Sequence, residues 1–275
     1  MEINTGDTAW VLVSAGFDGH RDAPITELGL AAGDFTNTGT ATGCNNPVSG
    51  APEIGDVYAA TASNITRECS TSSYSNLTWT PTSMPAAPKV VTVVKGDRTE
   101  YHVCGTLTLS GSGALLNTST SADTIIVVEN GALILDTDAA VNAQRTTFVI
   151  TATNTSASHI IDFPNGNGQV ASLTISPPKT SSNPWRGMAL YQDPALTTNI
   201  NMTWGPGASL YVDGVMYFPR ASLTMHGAGN SNSLGCTKLA VNTFTNNGSF
   251  NLTQSTSACS EIGMTQYTAA GRLIN

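Results

Sequence analysis

The chain has 275 residues, a formal net charge of −8 and only 11% charged residues, against about 25% in an ordinary soluble domain. Cations are few and nowhere clustered, which excludes nucleic acid as a partner, because phosphate contacts need grouped Lys and Arg. The same composition argues against a cytoplasmic enzyme and against a charge-driven disordered tail. The length suffices for one large domain or two modest ones.

In chain order, Ala9 to Val13 forms the first apolar run. It is far short of the roughly 18–20 residues that span a bilayer and lacks a signal-peptide layout. Export would then rest on an anchor or signal segment absent from this chain. A short helix is expected around Pro52 to Ala60, with Pro52 near its start. Ser63 to Thr80 is polar. Pro81-Thr82-Ser83-Met84-Pro85-Ala86-Ala87-Pro88 reads as an extended strap. It divides a partly irregular cap region, 1–88, from a second region, 89–275.

Beyond the strap, short apolar or β-branched runs alternate with Gly, Asn and Asp turns. They lie at Val90–Val94, Thr106–Leu109, Ile125–Val128, Ala132–Leu135, Phe148–Thr151, Ile160–Phe163 and Ala171–Ile175. Met188–Tyr191, Ser209–Val212, Val215–Phe218, Leu223–Met225 and Phe250–Leu252 complete the series. None holds a helical period for long. A glycine-led cadence recurs at Gly113-Ala114-Leu115, Gly131-Ala132-Leu133 and Gly207-Ala208-Ser209-Leu210. Glycine turns the corner and alternate apolar residues point inward. Repeats of roughly 15–25 residues predict an all-β solenoid, a right-handed parallel β-helix. A β-sandwich is the alternative. Asp213-Gly214, Asn130-Gly131 and Asn247-Gly248 are hairpin signals that favour it, and Asn165-Gly166-Asn167-Gly168 is a longer corner.

Five cysteines, none in a C-x-x-C pair, suit long-range disulfides in an oxidising compartment. Cys236 pairs with Cys259 in this reading, and Cys69 with Cys104 across the proline strap. Cys44–Cys69 competes with the second pair. Cys44 is otherwise left over, as a buried thiol or an intermolecular link.

Several ordered segments carry a resemblance. They are Gly187-Met188-Ala189-Leu190-Tyr191-Gln192-Asp193, Val212-Asp213-Gly214-Val215-Met216-Tyr217-Phe218-Pro219, Ala221-Ser222-Leu223-Thr224-Met225 and Gly235-Cys236-Thr237-Lys238-Leu239. With the strap and Cys104-Gly105-Thr106-Leu107, this stretch resembles the extracytoplasmic region of TadE/TadG-like proteins, associated with tight-adherence (Flp-type) pilus assembly. The resemblance implies a location in the periplasm or at the cell surface, and it supplies no catalytic or cofactor residues.

Other residues are weighed singly. Asp193, in Tyr191-Gln192-Asp193-Pro194, starts a turn or contacts a ligand. Trp185 and Trp204, each beside turn residues, cap the core or stack on a sugar or partner. Asp162 and Asp213 sit at strand ends and would pair as carboxylates only if brought together. His20, His102, His159 and His226 lack ligand spacing, and Asp136-Thr137-Asp138 lacks the layout of an EF-hand loop. No nucleotide-binding loop or nucleophile elbow is present. No cofactor and no metal are expected. A Thr-x-Thr column for ordering water is not sustained from strand to strand. The sequence therefore predicts a non-catalytic structural or adhesive domain that contacts a pilus or envelope protein or a surface glycan. Self-association through Cys44 or the solenoid ends is a subsidiary expectation. The alternative is a carbohydrate-binding or carbohydrate-cleaving β-helix with Asp162, Asp193, Asp213, Trp185 and Trp204 in one groove.

Overall fold

A computed structural model describes residues 10–14, 25–28, 61–69, 77–79, 90–111, 114–117, 122–154, 160–163, 170–205, 207–250 and 256–263. In chain order the elements are β1 (Trp10–Ser14), β2 (Ile25–Leu28), a 3₁₀ turn (Thr61–Asn64), β3 (Leu77–Trp79), β4 (Val90–Lys95), β5 (Arg98–Cys104), β6 (Leu107–Leu109) and β7 (Ala114–Asn117). They continue with β8 (Asp123–Glu129), β9 (Leu133–Leu135), β10 (Ala140–Ala143), β11 (Thr146–Thr151), β12 (Ile161–Asp162) and β13 (Ala171–Ile175). Last come β14 (Met188–Gln192), β15 (Ile200–Trp204), the long extended run β16 (Ala208–Phe250) and a short helix α1 (Thr256–Glu261).

These strands wind into a parallel β-helix of about five turns. Wall one stacks β5, β8, β11, β14 and residues 215–217 of β16, all in parallel. Wall two stacks β3, β6, β9 and β12, and β15 pairs with residues 221–225 in the same succession. Wall three stacks β7, β10, β13 and residues 208–212. The chain passes through the walls in constant order, so each strand pairs with its counterpart one turn away. That pattern rules out the sandwich alternative, whose neighbours would be antiparallel.

The hairpin signals that favoured a sandwich serve as rung corners. Gly214, at φ +99°, turns wall three into wall one, and Asn130, at φ 59°, precedes the corner at Gly131. Asn247-Gly248 falls inside β16, and Asn165 to Gly168 lie outside the described residues. Hairpin pairing occurs instead at the ends. β4 runs antiparallel to β5 across Gly96-Asp97. At the other end β1 pairs parallel with residues 238–241, and β2 pairs antiparallel with β1. The helix expected near Pro52 to Ala60 and Cys44 lie outside the described residues.

The interior follows from strand alternation. Val103, Ile126, Val128, Phe148, Ile150 and Leu190 point inward from wall one, to meet Leu107, Leu133 and Ile161 from wall two and Val141, Leu173 and Leu210 from wall three. Trp204 fills the middle of this column, 5.0 Å from Phe163 and 6.3 Å from Phe218 between ring centroids. Its indole N–H donates to the Ile161 carbonyl at 3.3 Å, so burying the ring leaves no donor unpaired. We expect Trp204→Ala to cost about 3–5 kcal/mol, the usual cost of emptying a large aromatic site, read as a lower urea midpoint.

Candidate functional site

The three walls differ on their outer sides. Walls two and three keep the in–out alternation of a half-solvated sheet: β6 and β9 read buried–intermediate–buried, and β13 alternates throughout. On wall one every residue of β8, β11 and β14 is buried. A second apolar cluster explains this. Ile125, Val127, Val149, Met188, Tyr191, Val215 and Tyr217 point outward from wall one and meet Trp185 and Ile65. Such a doubly covered strand reads as a continuous apolar run.

Two segments provide the cover. The first is the loop before β14. Its anchor is Asp123, fully buried, which accepts hydrogen bonds from Arg145 Nη2 at 2.6 Å, Thr180 N at 3.1 Å and Asn183 Nδ2 at 3.0 Å. This loop lays Trp185 edge-on against Tyr191, which in turn stacks on Tyr217. Burial, and the neighbouring Tyr217 and Asp193, push the Tyr191 hydroxyl well above its ordinary range.

The second cover is the strap 61–69, laid over a ladder of polar side chains on successive rungs and distinct from the proline segment 81–88, which lies outside the described residues. Glu100 and His102 come from β5, Glu129 from β8, Thr151 from β11, and Asp193 follows β14; all five are buried. Thr66 Oγ1 donates to Glu100 Oε2 at 3.2 Å. The Glu68 and Cys69 amides donate to the two oxygens of Glu129 at 2.8 and 3.2 Å. Arg67 reaches farther. Its Nε donates to Thr151 Oγ1 at 3.0 Å and its Nη2 to Asp193 Oδ2 at 2.6 Å, while Thr151 Oγ1 donates to the same carboxylate oxygen. The Cys69–Cys104 disulfide, with a Cα separation of 5.5 Å, fixes the strap's end to wall one.

The deepest part of the ladder is a charge stack. His102 Nδ1 lies 2.8 Å from Glu129 Oε1, and Nε2 lies 3.5 Å from Glu100 Oε2. Glu100 is also bound by Arg98 Nε at 2.6 Å and Lys95 Nζ at 2.8 Å. Burial alone would raise the Glu100 pKa, but hydrogen bonds from His102, Lys95 and Arg98 outweigh it and hold the carboxyl at about 2. The stabilisation from this depressed group is complete above the ordinary carboxylate range and is lost as pH falls toward 2. Acid unfolding of the wild type should therefore extend to a lower pH than that of Glu100→Gln, as followed by far-UV circular dichroism.

The five residues expected to form a carbohydrate groove do not converge. Trp204 is inside the solenoid, and Trp185 is outside wall one; each is only 1% exposed, so neither offers a stacking surface. Asp193 is buried under Arg67, and its Oδ1 accepts the Ala195 amide at 2.9 Å, the bond of an Asx turn. Asp162 lies on wall two, its pKa raised by burial. Asp213 sits at a corner, where its Oδ1 accepts the Cys236 amide at 3.0 Å; burial raises its pKa as well. Both predicted disulfides are present, Cys236–Cys259 bridging β16 to α1 with a Cα separation of 4.9 Å. His226 is exposed, and Asp136 to Asp138 form an exposed turn; His20 and His159 lie outside the described residues. The sequence reading missed the ladder. Its signal was Glu100-x-His102-x-Cys104, polar residues at every second position of a strand in a chain so poor in charge.

Replacing Cys69 and Cys104 together by Ser should cost roughly 3–4 kcal/mol on the loop-closure estimate for a sequence separation of 35. Comparison of oxidised wild type with the double variant in urea measures it.

The outer sides of walls two and three carry mostly uncharged polar residues in register, with Ile134 beside Asp162 as the exception on wall two. On wall three Ser172 stands beside Ser209, and Thr174 lies between Asn142 and Tyr211. On wall two Thr78 pairs with Thr108, and Thr203 with Thr224. Among the described residues no helix is long and apolar enough to cross a membrane, and the two disulfides are compatible with an extracytoplasmic location. Comparisons with models of protein families, with curated proteins and with solved structures find no match to this chain.

Proposed function

We propose that this is a non-catalytic structural or adhesive domain of an exported, pilus-associated or cell-surface protein, akin to the TadE/TadG-like proteins it resembles. It works by contact. The observation that carries this reading is the asymmetry of the walls. Wall one is sealed by two covers, and its charges are engaged in buried pairs. Walls two and three present rows made mostly of hydroxyl and amide groups in register, interrupted on wall two by Ile134 and Asp162. Neighbouring rows on such a stack lie about 4.8 Å apart, a spacing fixed by backbone hydrogen bonds. A surface of this kind suits an uncharged, hydrogen-bonding partner, a pilus or envelope protein or a surface glycan, and it needs no ordering on contact.

The test is adhesion of protein-coated beads to whole cell envelopes. Arg at Thr174 or Thr203 places a charge in the middle of one open wall while leaving the inward residues intact. Burying that unpaired charge in a contact should lower binding about tenfold or more. Arg at exposed Ser63, on the strap, should leave binding unchanged. Equal binding by all three variants, or none by the wild type, would refute the reading. The carbohydrate-cleaving alternative loses support from the scatter of the five residues on which it stood.

A further inference from the structure

We infer that the end of the strap 61–69 is a proton-linked latch: His102 must carry a proton for Glu68 and Cys69 to seat on Glu129, and loss of that proton releases their two amides from it. The geometry sets the protonation state. Glu129 accepts at Nδ1 and Glu100 faces Nε2, and no group beside Nε2 donates to it. Between two carboxylates, a bare nitrogen at Nε2 would put a lone pair toward a negative oxygen in a site where His102 and Glu129 are fully buried. An imidazolium donates to Glu129 and turns a positive N–H toward Glu100, an ion pair at 3.5 Å and not a hydrogen bond.

The charges close on the same state. Facing His102 are Glu100 on its own strand and Glu129 on β8. Behind Glu100 stand Lys95 from β4 and Arg98 from β5, and Asp97 from the turn between them pairs with Arg98. From the strap come Arg67, committed to Asp193, and Glu68, whose side chain is exposed and which offers only its amide to the cluster. Three carboxylates thus face Lys95, Arg98 and His102, and they balance only if His102 is charged. Without the proton one negative charge remains buried, on the carboxylate that holds the Glu68 and Cys69 amides. A buried charge that loses its partner is strongly unfavourable, and the way to relieve it here is to admit water to Glu129 by lifting the strap's end.

Burial lowers the His102 pKa, but the hydrogen bonds to Glu100 and Glu129 and their charges outweigh it, so the net direction is upward. The linked stability is therefore complete below the ordinary histidine pKa, 6.5, and disappears as pH rises through the raised value. The Cys69–Cys104 disulfide keeps the strap attached through the side chain while the two amides leave Glu129. Opening bares Glu129, while Glu100 keeps Lys95 and Arg98 and Asp193 keeps Arg67.

Amide hydrogen exchange at Glu68 and Cys69, on the oxidised full chain between pH 5 and 9, tests this directly. After correction for intrinsic exchange, wild-type protection should be flat at low pH and then fall by up to about tenfold per pH unit, the slope for one linked proton. In His102→Gln it should show no such break. Flat wild-type protection to pH 9, or the same break in the variant, overturns the latch. If the variant does not fold, the imidazole nitrogen shifts of wild-type His102 decide. A protonated ring at pH 7 supports the latch, and a neutral one overturns it.

Discussion

Gly131→Ala should unfold this protein or come close to it. Gly131 forms the corner between walls one and two, stacked on the corner below. A β-carbon there would lie 2.2 Å from the Gly105 carbonyl carbon and 2.2 Å from the Thr106 nitrogen. Both are backbone atoms, held by the bonds that knit the rungs: Gly105 N to Glu129 O and Leu107 N to Ala132 O, each 2.8 Å. No rotamer change relieves the clash. The rungs must separate at the corner, and these hydrogen bonds stretch with them. Overpacking of a rigid site costs about 1–3 kcal/mol and sometimes more, and we place this corner at or above the top of that range. Gly96→Ala is the control, since a β-carbon there meets nothing within 4 Å. It should shift the urea midpoint little. Similar midpoints for the two variants would show that the corner has more room than its geometry indicates.

Asp123→Ala should be almost as damaging, for a different reason. The substitution removes an acceptor and leaves its donors behind: the Arg145 guanidinium, whose side chain is 17% exposed, with the Thr180 amide and the Asn183 side chain. Breaking one side of a buried charged pair typically costs about 3–5 kcal/mol. The loss should be felt first in the loop that carries Trp185, so near-UV circular dichroism from the Trp185–Tyr191–Tyr217 stack should weaken before the β signal does. Asp123→Asn keeps an acceptor oxygen and should cost clearly less. Equal losses in Ala and Asn would mean that shape rather than charge matters at this position.

Much of the solenoid was legible in the sequence, because the interior imposes a simple demand. Each rung must bring small runs of apolar residues inward and then turn, and Leu133–Leu135, Ala171–Ile175 and Val215–Phe218 all announce this. The glycine of Gly131-Ala132-Leu133 was readable too, since a corner with a neighbour 2.2 Å from its missing β-carbon tolerates nothing larger. β2, β3, β5, β10 and β15 were not recognised. Ala140–Ala143 is too small and too weakly apolar to signal a strand. In Ile200–Trp204 the inward residues include Met and Trp, with no β-branched run. β5 failed most informatively. Its outward positions are Arg98, Glu100, His102 and Cys104, which look like a loop until the strap that covers them is known. Local pattern reports which side of a strand is apolar, whereas burial of a polar side by a segment some 35 residues earlier leaves no local trace. The same limit applied to Trp185 and Trp204. A tryptophan beside turn residues reads alike whether it ends inside the stack or under a loop. Asp193 also kept its turn role, but the Arg67 contact was invisible across a sequence separation of 126.

The pairing of β1 with residues 238–241 ties the beginning of the chain to the far end of the stack. In a solenoid, rungs ordinarily add one upon another, each needing only the one before it. Here a strand that precedes every rung in sequence has no place to dock until residues 238–241 are in position. Its contact spans nearly the whole described chain, the kind of closure that slows folding. β3, which sits at the opposite end, has its partner β6 waiting almost at once. Assembly should therefore run from the β3 end upward and finish with the docking of β1, and the β1–β2 hairpin acts as the clasp that registers completion.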